Sequence, residues 1–190
     1  HGGSVLATSI NKYCYISCRV LPPFFDHKYR IAYSIIEHAK SVDEINHPAV
    51  RGVLQYLDVS LGLEIHHDGD LPARSGLGSS SSFTAGLLNA IHAINGNMVS
   101  KYDLAMQAIA VEQNVIGEKV GSQDQVTAAI GGFNRINFNV DGTIDVKPVI
   151  LTTERKQTLS DHLIMFFSGV VRNSQSITSK KISGIKKKPH

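Results

Sequence analysis

Apolar side chains recur along this chain with two different periods, and changes of period mark the predicted elements. Runs rich in β-branched and aromatic residues, or with alternating apolar positions, predict strands. The clearest hairpin signal is Asp141-Gly142, which separates two alternating runs. Strands are predicted at residues 4–20, 29–36, 61–66, 136–140, 144–149 and 163–167.

Helical spacing of apolar residues predicts helices between the early and late strands. Pro48 suits the first position of one helix, and Asn95-Gly96 supplies a stop signal for the next. Ser100-Lys-Tyr-Asp103 resembles a capping box that begins a third helix. A short helix is predicted within residues 120–132, and a further helix of mixed polarity at 173–182.

This order of elements predicts an α+β fold in which helices pack on one face of a mixed β-sheet. We expect residues 1–182 to form one domain and residues 183–190 to form a basic tail. The chain has 190 residues, 42% of them hydrophobic, which is enough to bury a substantial core.

No uninterrupted apolar run approaches the ~20 residues that a membrane helix requires, and the first residues lack the pattern of a secretory signal. We therefore expect a soluble, cytoplasmic protein without a membrane partner. Cys14 and Cys18 share one face of a predicted strand, which favours buried, reduced thiols over a disulfide.

The formal net charge of +3 is concentrated near the end of the chain. A nucleic-acid surface normally needs a basic stripe with neighbouring aromatic residues on folded structure, and this segment has neither. The charge therefore predicts a solvated tail and no nucleic-acid partner. The lysines concerned are Lys180, Lys181, Lys186, Lys187 and Lys188.

The segment Pro72–Ser82, Pro-Ala-Arg-Ser-Gly-Leu-Gly-Ser-Ser-Ser-Ser, joins a glycine-rich loop to four serines at the start of a predicted helix. Glycines can turn backbone N–H groups toward one point, where the helix terminus adds roughly half a positive charge. The preceding short strand at 61–65 favours a phosphate site over a flexible linker or an ordinary capped helix start. The loop lacks the Gly-Lys-Ser/Thr ending of a Walker A motif.

Two acidic residues downstream suit phosphoryl transfer. Glu112 lies on the core-facing side of a predicted helix, where an ionised carboxylate needs a basic partner, other donors or a metal ion. Asp124 lies on a glycine-bounded loop, where a simple N-cap is the alternative role.

The chemistry of these groups predicts a role for each. Ser80 and Glu112 supply the oxygen ligands that Mg²⁺ takes while it bridges phosphates. Asp124 then orients or deprotonates an acceptor hydroxyl for attack on the γ-phosphate of ATP. The predicted reaction is ATP-dependent phosphorylation of an alcohol.

The loop from Pro72 to Ser82 resembles the Pro-x-x-x-Gly-Leu-Gly-Ser-Ser motif of the GHMP kinases, which include galactokinase, homoserine kinase, mevalonate kinase and phosphomevalonate kinase. The resemblance implies the N-terminal domain fold of that family. It implies ATP contacts from Arg74, Ser75, Gly76, Leu77, Gly78, Ser79, Ser80 and Ser81, and substrate contacts from Gly121, Ser122, Gln123 and Asp124. It also implies Mg²⁺ ligation by Ser80 and Glu112, with Asp124 as the catalytic residue.

Three longer segments resemble the heptose-phosphate kinase branch of that family: residues 66–79, 120–126 and 131–134. That branch implies phosphorylation of the anomeric hydroxyl of D-glycero-D-manno-heptose 7-phosphate. Fucokinase-like enzymes share much of the pattern, and a non-catalytic sugar or nucleotide sensor is an alternative from another class.

Family members carry a further motif ahead of the position of His1 and a second domain after Ile182. We therefore expect the chain to be truncated at both ends, to retain the phosphate loop, to turn over little substrate and to associate with itself through exposed apolar surface. The basic partner of Asp124 is expected outside the chain. Arg74 and Arg172 are candidates for phosphate and sugar contacts, with salt bridges or solvent as the alternatives.

Overall fold

The computed structural model describes residues 2–72 and 75–166. The chain divides into two compact units. Within the described residues, the first unit comprises 2–10 and 131–166, and the second comprises 11–72 and 75–130. The predicted boundary at residue 182 lies outside the described residues.

The described residues form seven strands and five α-helices. The strands are β1 (Gly3–Thr8), β2 (Cys14–Val20), β3 (Tyr29–Ala32), β4 (Ile36–Ala39), β5 (Leu63–Gly69), β6 (Phe133–Phe138) and β7 (Ile144–Pro148). The α-helices are α1 (Pro48–Tyr56), α2 (Ser79–Ile94), α3 (Lys101–Ala110), α4 (Gln123–Ile130) and α5 (Thr153–Asp161). A short 3₁₀-helix covers Val42–Glu44, and a π-helical turn covers Val111–Val115 directly after α3.

The first unit contains a three-stranded antiparallel sheet in the order β1-β6-β7. The predicted hairpin is confirmed, because β6 and β7 pair across a turn in which Gly142 has a φ of 88°. Helix α5 follows, and its cap Thr152 accepts a hydrogen bond from the Arg155 backbone N–H. This helix has no apolar face, so the periodicity of its side chains did not predict it.

The predicted strand at 163–167 is wrong for the part that the structure describes. Residues 163–166 have no regular secondary structure, and residue 167 lies outside the described ranges. These four apolar side chains are 63–83% exposed. A run of apolar residues becomes a strand only where a neighbouring strand can pair with it, and none of the described strands pairs here.

The second unit contains a four-stranded mixed sheet in the order β2-β5-β3-β4. Only the β3–β5 pair is parallel. The predicted α+β fold class is confirmed, but the single strand expected over 4–20 is two strands that belong to different sheets. The segment expected to be a strand over 29–36 is likewise divided, into the antiparallel pair β3 and β4.

Helix α2 packs on the face of the sheet that carries the inward side chains of β2. Gly86 permits the close approach, because a Cβ at this position would lie 3.1 Å from Cγ1 of Ile16. The buried core between sheet and helices is large and almost entirely apolar. Its most buried large members include Tyr29, Ile31, Ile45, Leu54, Leu63, Ile65, Leu87, Leu88 and Ile91.

The prediction of reduced core thiols is confirmed. Cys14 and Cys18 are both free and half-buried, and they pack against the core from the same face of β2. Burial raises the pKa of Cys18 to about 11, so this thiol stays protonated and unreactive at neutral pH.

The π-helical turn rests against α1 at a glycine. A Cβ at Gly52 would lie 2.8 Å from Cγ1 and 3.3 Å from Cδ1 of Ile116, the residue that follows the turn. No larger residue fits there without a shift of Ile116. Gly52 thereby fixes the position of the turn that carries Glu112.

On the other face of the sheet, one buried carboxylate is surrounded by positive charge. Glu64 on β5 stands opposite Arg19 of β2 and Arg30 of β3 in the strand register, and it forms ion pairs with both. His66 Nε2 lies 2.8 Å from Oε1 of Glu64. The hydrogen bond with His66 has the largest effect on the pKa of Glu64. Together with the contacts of Arg19 and Arg30 it outweighs burial and lowers this pKa to about 2.

No helix within the described ranges is long and apolar enough to cross a membrane. The helix predicted at 173–182, Arg172 and the lysine tail lie outside the described residues.

Gly52→Ala tests the contact between α1 and the π-helical turn. Alanine usually stabilises a helix relative to glycine, but here we expect a loss of about 1–3 kcal/mol in the free energy of unfolding, because the new methyl group overlaps Ile116. Urea denaturation of the variant and of Gly3→Ala, which meets no atom within 4 Å among the described residues, measures the difference. A Gly52→Ala variant as stable as the wild type would contradict the close contact.

Glu64→Gln tests the ion pairs that Glu64 forms with Arg19 and Arg30. The pKa of Glu64 is lower in the folded than in the unfolded state, so its stabilising effect is present above pH 4.5 and disappears as the pH falls toward 2. We expect the variant to lose about 1–2 kcal/mol at pH 7, since Arg19 is largely solvated, and to approach the wild type in acid. Denaturation from pH 7 to pH 2, with exposed Glu154→Gln as control, measures this difference; a difference independent of pH would refute the assignment.

Candidate functional site

The glycine-rich loop ends at the N-terminus of the longest described helix, α2. Gly76 and Gly78 have φ values of 80° and 71°, in the left-handed region that favours glycine. Gly78 is the N-cap residue of α2, and its carbonyl accepts the Ser82 N–H. A residue without a side chain at the cap leaves the other first-turn N–H groups accessible to an anion.

The four serines of the first helical turn have different surroundings. Ser80 is exposed, whereas Ser81 is buried. Ser81 Oγ donates a hydrogen bond to Oε2 of Glu112 at 3.2 Å. The structure thus brings Ser81 into direct contact with Glu112, while the predicted ligand Ser80 lies next to it on the solvent side.

Glu112 is only 1% exposed and lies in the π-helical turn. Its Oε2 accepts hydrogen bonds from Ser81 Oγ and from Gln125 Nε2. Burial raises the pKa of Glu112, hydrogen bonding, chiefly from Gln125, opposes that effect, and the charge of Glu118 adds to it. The predicted burial of this carboxylate is confirmed, and hydroxyl and amide donors hold it.

Asp124 lies in the first turn of α4 with its side chain beside the loop. A Cβ at Gly78 would lie 3.5 Å from Cγ and 3.7 Å from Oδ2 of Asp124, so the carboxyl group reaches the backbone of the loop. Surrounding protein atoms raise the pKa of Asp124, although the residue keeps access to solvent. A carboxylate with that pKa shift and an open side can accept a proton from a bound hydroxyl group.

The predicted acceptor-binding residues lie on the turn that leads into α4 and in the first turn of that helix. Gln113, in the π-helical turn, donates from Nε2 to the Val120 carbonyl at 3.1 Å and to Ser122 Oγ at 3.2 Å. These bonds hold the turn next to the segment that carries Glu112. Gly121 and Gln123 are exposed there.

Two partners of Glu112 were not predicted from the sequence. Ser81 was expected to contact the nucleotide, and Gln125 was not singled out. The available signal was its position: Gln125 is a polar residue beside Val126 on the face of α4 that is buried. A polar side chain at a core position of a short helix implies a specific partner.

The side-chain oxygens of this site fit a magnesium ion that is held mainly by phosphate oxygens. Within residues 2–72 and 75–166, Oε1 of Glu112 and Oε1 of Gln125 are buried acceptors without a hydrogen-bond partner. The same residues contain no cluster of three or more His, Cys, Asp or Glu side chains that would hold a metal ion alone. One carboxylate with a nearby hydroxyl group matches the few protein ligands that Mg²⁺ takes beside a nucleotide.

The structure therefore brings together the loop, Glu112 and Asp124 from three separate parts of the sequence. Their assigned roles in catalysis and binding stay predictions. Arg74, the predicted basic contact within the loop, lies outside the described residues.

Residues 44–132 match the family model of the GHMP kinases N-terminal domain, and this match contains the loop, Glu112 and Asp124. Over these residues the chain is similar to that domain. The resemblance to its heptose-kinase branch is supported by the relatives that the chain matches.

One relative is the D-glycero-alpha-D-manno-heptose 7-phosphate kinase of Campylobacter jejuni, 28% identical over 131 residues, which are 69% of this chain and 39% of the relative. The galactokinase of Schizosaccharomyces pombe is 30% identical over 107 residues, 55% of this chain and 20% of that protein. Among solved structures, a D-glycero-D-manno-heptose 1-phosphate kinase from Bacteroides thetaiotaomicron superimposes with a TM-score of 0.71 at 26% identity. The match covers 80% of this chain and 52% of that structure.

Proposed function

We propose that this chain is the nucleotide-binding part of an ATP-dependent sugar kinase, and that the acceptor is the anomeric hydroxyl of a heptose 7-phosphate. The observation that carries the proposal is the meeting of two carboxylates, from the π-helical turn and from α4, at one glycine loop and helix N-terminus. The similarity to the D-glycero-alpha-D-manno-heptose 7-phosphate kinase of Campylobacter jejuni supports the choice of acceptor. Because the chain spans only part of that enzyme's length, the activity of the whole protein is part of the proposal.

In this proposal, the backbone of the loop and its serines bind the terminal phosphates of ATP. Ser80 and Glu112 are the protein ligands of Mg²⁺, which neutralises charge on the phosphates when it is bound. Asp124 takes the proton of the acceptor hydroxyl as the new O–P bond forms. The bond from the γ-phosphorus to the bridging oxygen breaks, and ADP leaves.

A second sugar kinase activity has specific support. The chain is also similar to the galactokinase of Schizosaccharomyces pombe and to a bifunctional fucokinase/GDP-fucose pyrophosphorylase of Arabidopsis thaliana. A non-catalytic sensor with the same pocket is the alternative from a different class. These three readings share the nucleotide site and differ in acceptor or turnover.

Magnesium-dependent ATP binding tests the site itself. We expect isothermal titration calorimetry to detect Mg-ATP at up to millimolar concentration, with affinity reduced about tenfold or more by Glu112→Gln, because one charged metal ligand is lost. Asp124→Asn should keep most of the affinity, and the exposed Glu154→Gln serves as a charge-matched control. A wild-type chain that binds no nucleotide at millimolar ATP would rule out the proposal.

The acceptor is tested by ADP release with heptose 7-phosphate, fucose, galactose and mevalonate, in a chimera in which this chain replaces the matching residues of the Campylobacter jejuni enzyme, and that enzyme is the positive control. The proposed reaction is supported if heptose 7-phosphate is turned over and Asp124→Asn abolishes that turnover. Turnover with another sugar only would replace the acceptor, and sugar binding without turnover would favour the sensor.

The loop geometry is tested with two glycines that have nearly the same φ and lie at opposite ends of α2. Gly78 and Gly96 have φ values of 71° and 72°, so alanine at either position should cost about 1–2 kcal/mol of stability. Only Gly78→Ala places a methyl group between the loop and Asp124, at 3.4 Å from its Cβ. We expect only this variant to weaken Mg-ATP binding in calorimetry; equal loss in both variants would contradict a local role for the loop.

A further inference from the structure

Gln125 is the least exposed polar partner that Glu112 has in the described part of the chain. It is 1% exposed and its Nε2 donates to Oε2 of Glu112. The amide nitrogen of Gln125, and not its oxygen, faces the carboxyl group, which is the orientation that suits an ionised carboxylate, since that group only accepts hydrogen bonds. A buried donor that meets a buried carboxylate is a strong, charge-assisted contact.

Both donors converge on a single oxygen of Glu112. Ser81 and Gln125 bond Oε2, and no described residue donates to Oε1. Two bonds from α2 and α4 fix the plane of the carboxyl group, and Oε1 remains a buried acceptor. The Oε1 atom of Gln125 is likewise a buried acceptor without a partner among these residues. Buried oxygens of this kind require a donor or a cation, and none of the residues in the described ranges supplies one.

The same helix turn carries Asp124. Adjacent residues on an α-helix point about 100° apart, so a helix that aims Gln125 at the buried Glu112 aims Asp124 in a different direction, toward the loop at Gly78. The bond between Gln125 and Glu112 therefore sets the rotation of α4 as well as the orientation of the carboxylate.

We propose that Gln125 is a positioning residue for the cation of the bound nucleotide: its amide holds Oε2 of Glu112 so that Oε1 is presented to the metal ion. This inference rests on the proposed function. Partners that orient a metal ligand typically change metal affinity by about 10–100-fold when they are removed. Gln125 acts through Glu112 and has no part in proton transfer.

The test is Mn²⁺ binding, followed by electron paramagnetic resonance, in the presence of a non-hydrolysable ATP analogue. Gln125→Met keeps the length of the side chain and removes the donor. We expect about 10–100-fold weaker Mn²⁺ binding, with unchanged affinity for the analogue in EDTA. In a Glu112→Gln background, Gln125→Met should cause no further loss, because both changes remove one coupled interaction.

Gln107→Met is the matched control. Gln107 joins α3 to α2 through a half-buried hydrogen bond with His92, at 2.7 Å, away from the loop. This variant loses the same kind of side chain and one interhelical bond, so it should lower stability without changing Mn²⁺ affinity.

The outcomes distinguish failure of the proposed function from failure of the positioning role of Gln125. A wild-type chain that binds neither the analogue nor Mn²⁺ refutes the proposed function. If a folded Gln125→Met variant binds Mn²⁺ as tightly as the wild type does, the positioning role alone is refuted. The same holds if the variant loses as much affinity for the analogue in EDTA as it loses for Mn²⁺. If Gln125→Met does not fold, Ser81→Ala removes the other donor to the same oxygen: weaker Mn²⁺ binding supports the inference, and unchanged binding overturns it.

Discussion

The buried carboxylate of Glu112 is the constraint on which the second unit of this structure depends. An ionised carboxylate removed from water costs several kcal/mol unless donors meet it. Here the donors come from two other helices, through Ser81 of α2 and Gln125 of α4. One side chain therefore joins three elements that are separated in sequence, and a change in any of them leaves a charged group without its partners.

The arrangement around Glu112 explains why unfavourable local features are retained nearby. The π-helical turn interrupts a regular helix, and Gly52 gives up helix stability so that the turn can lie against α1. The loop holds two glycines with positive φ, and its cap has no side chain. Departures from local preference that gather at one place are typical of functional sites, where geometry is maintained at a cost in stability.

Many elements of the fold could be predicted from the sequence, because they depend on local sequence patterns. The starts of α1 and α3, the loop before α2 and the burial of Glu112 follow from caps, glycines and apolar spacing. The break between β1 and β2 and the absence of a strand at 163–166 could not be predicted this way, because they depend on which strands find partners. Helix α5 is polar on all sides and carries no periodic signal.

Within the site, residue types and their rough location were predictable, but their pairing was not. Ser80 and Ser81 are adjacent serines in one helical turn, and only the packing of α2 against the π-helical turn decides that Ser81 bonds Glu112. Gln125 gains its meaning from a carboxylate 13 residues earlier in the chain. Hydrogen-bond partners across helices depend on tertiary geometry, which a single sequence encodes only indirectly.

The most direct measurement is paramagnetic broadening of backbone amide resonances by Mn²⁺ bound with a non-hydrolysable ATP analogue. If terminal phosphates and their cation lie at the start of α2, the amides of residues 76–81, 112 and 124 should be broadened most strongly, and those of β3 and β4 should stay sharp. Broadening centred on another surface, with residues 76–81 and 112 unaffected, would contradict the account.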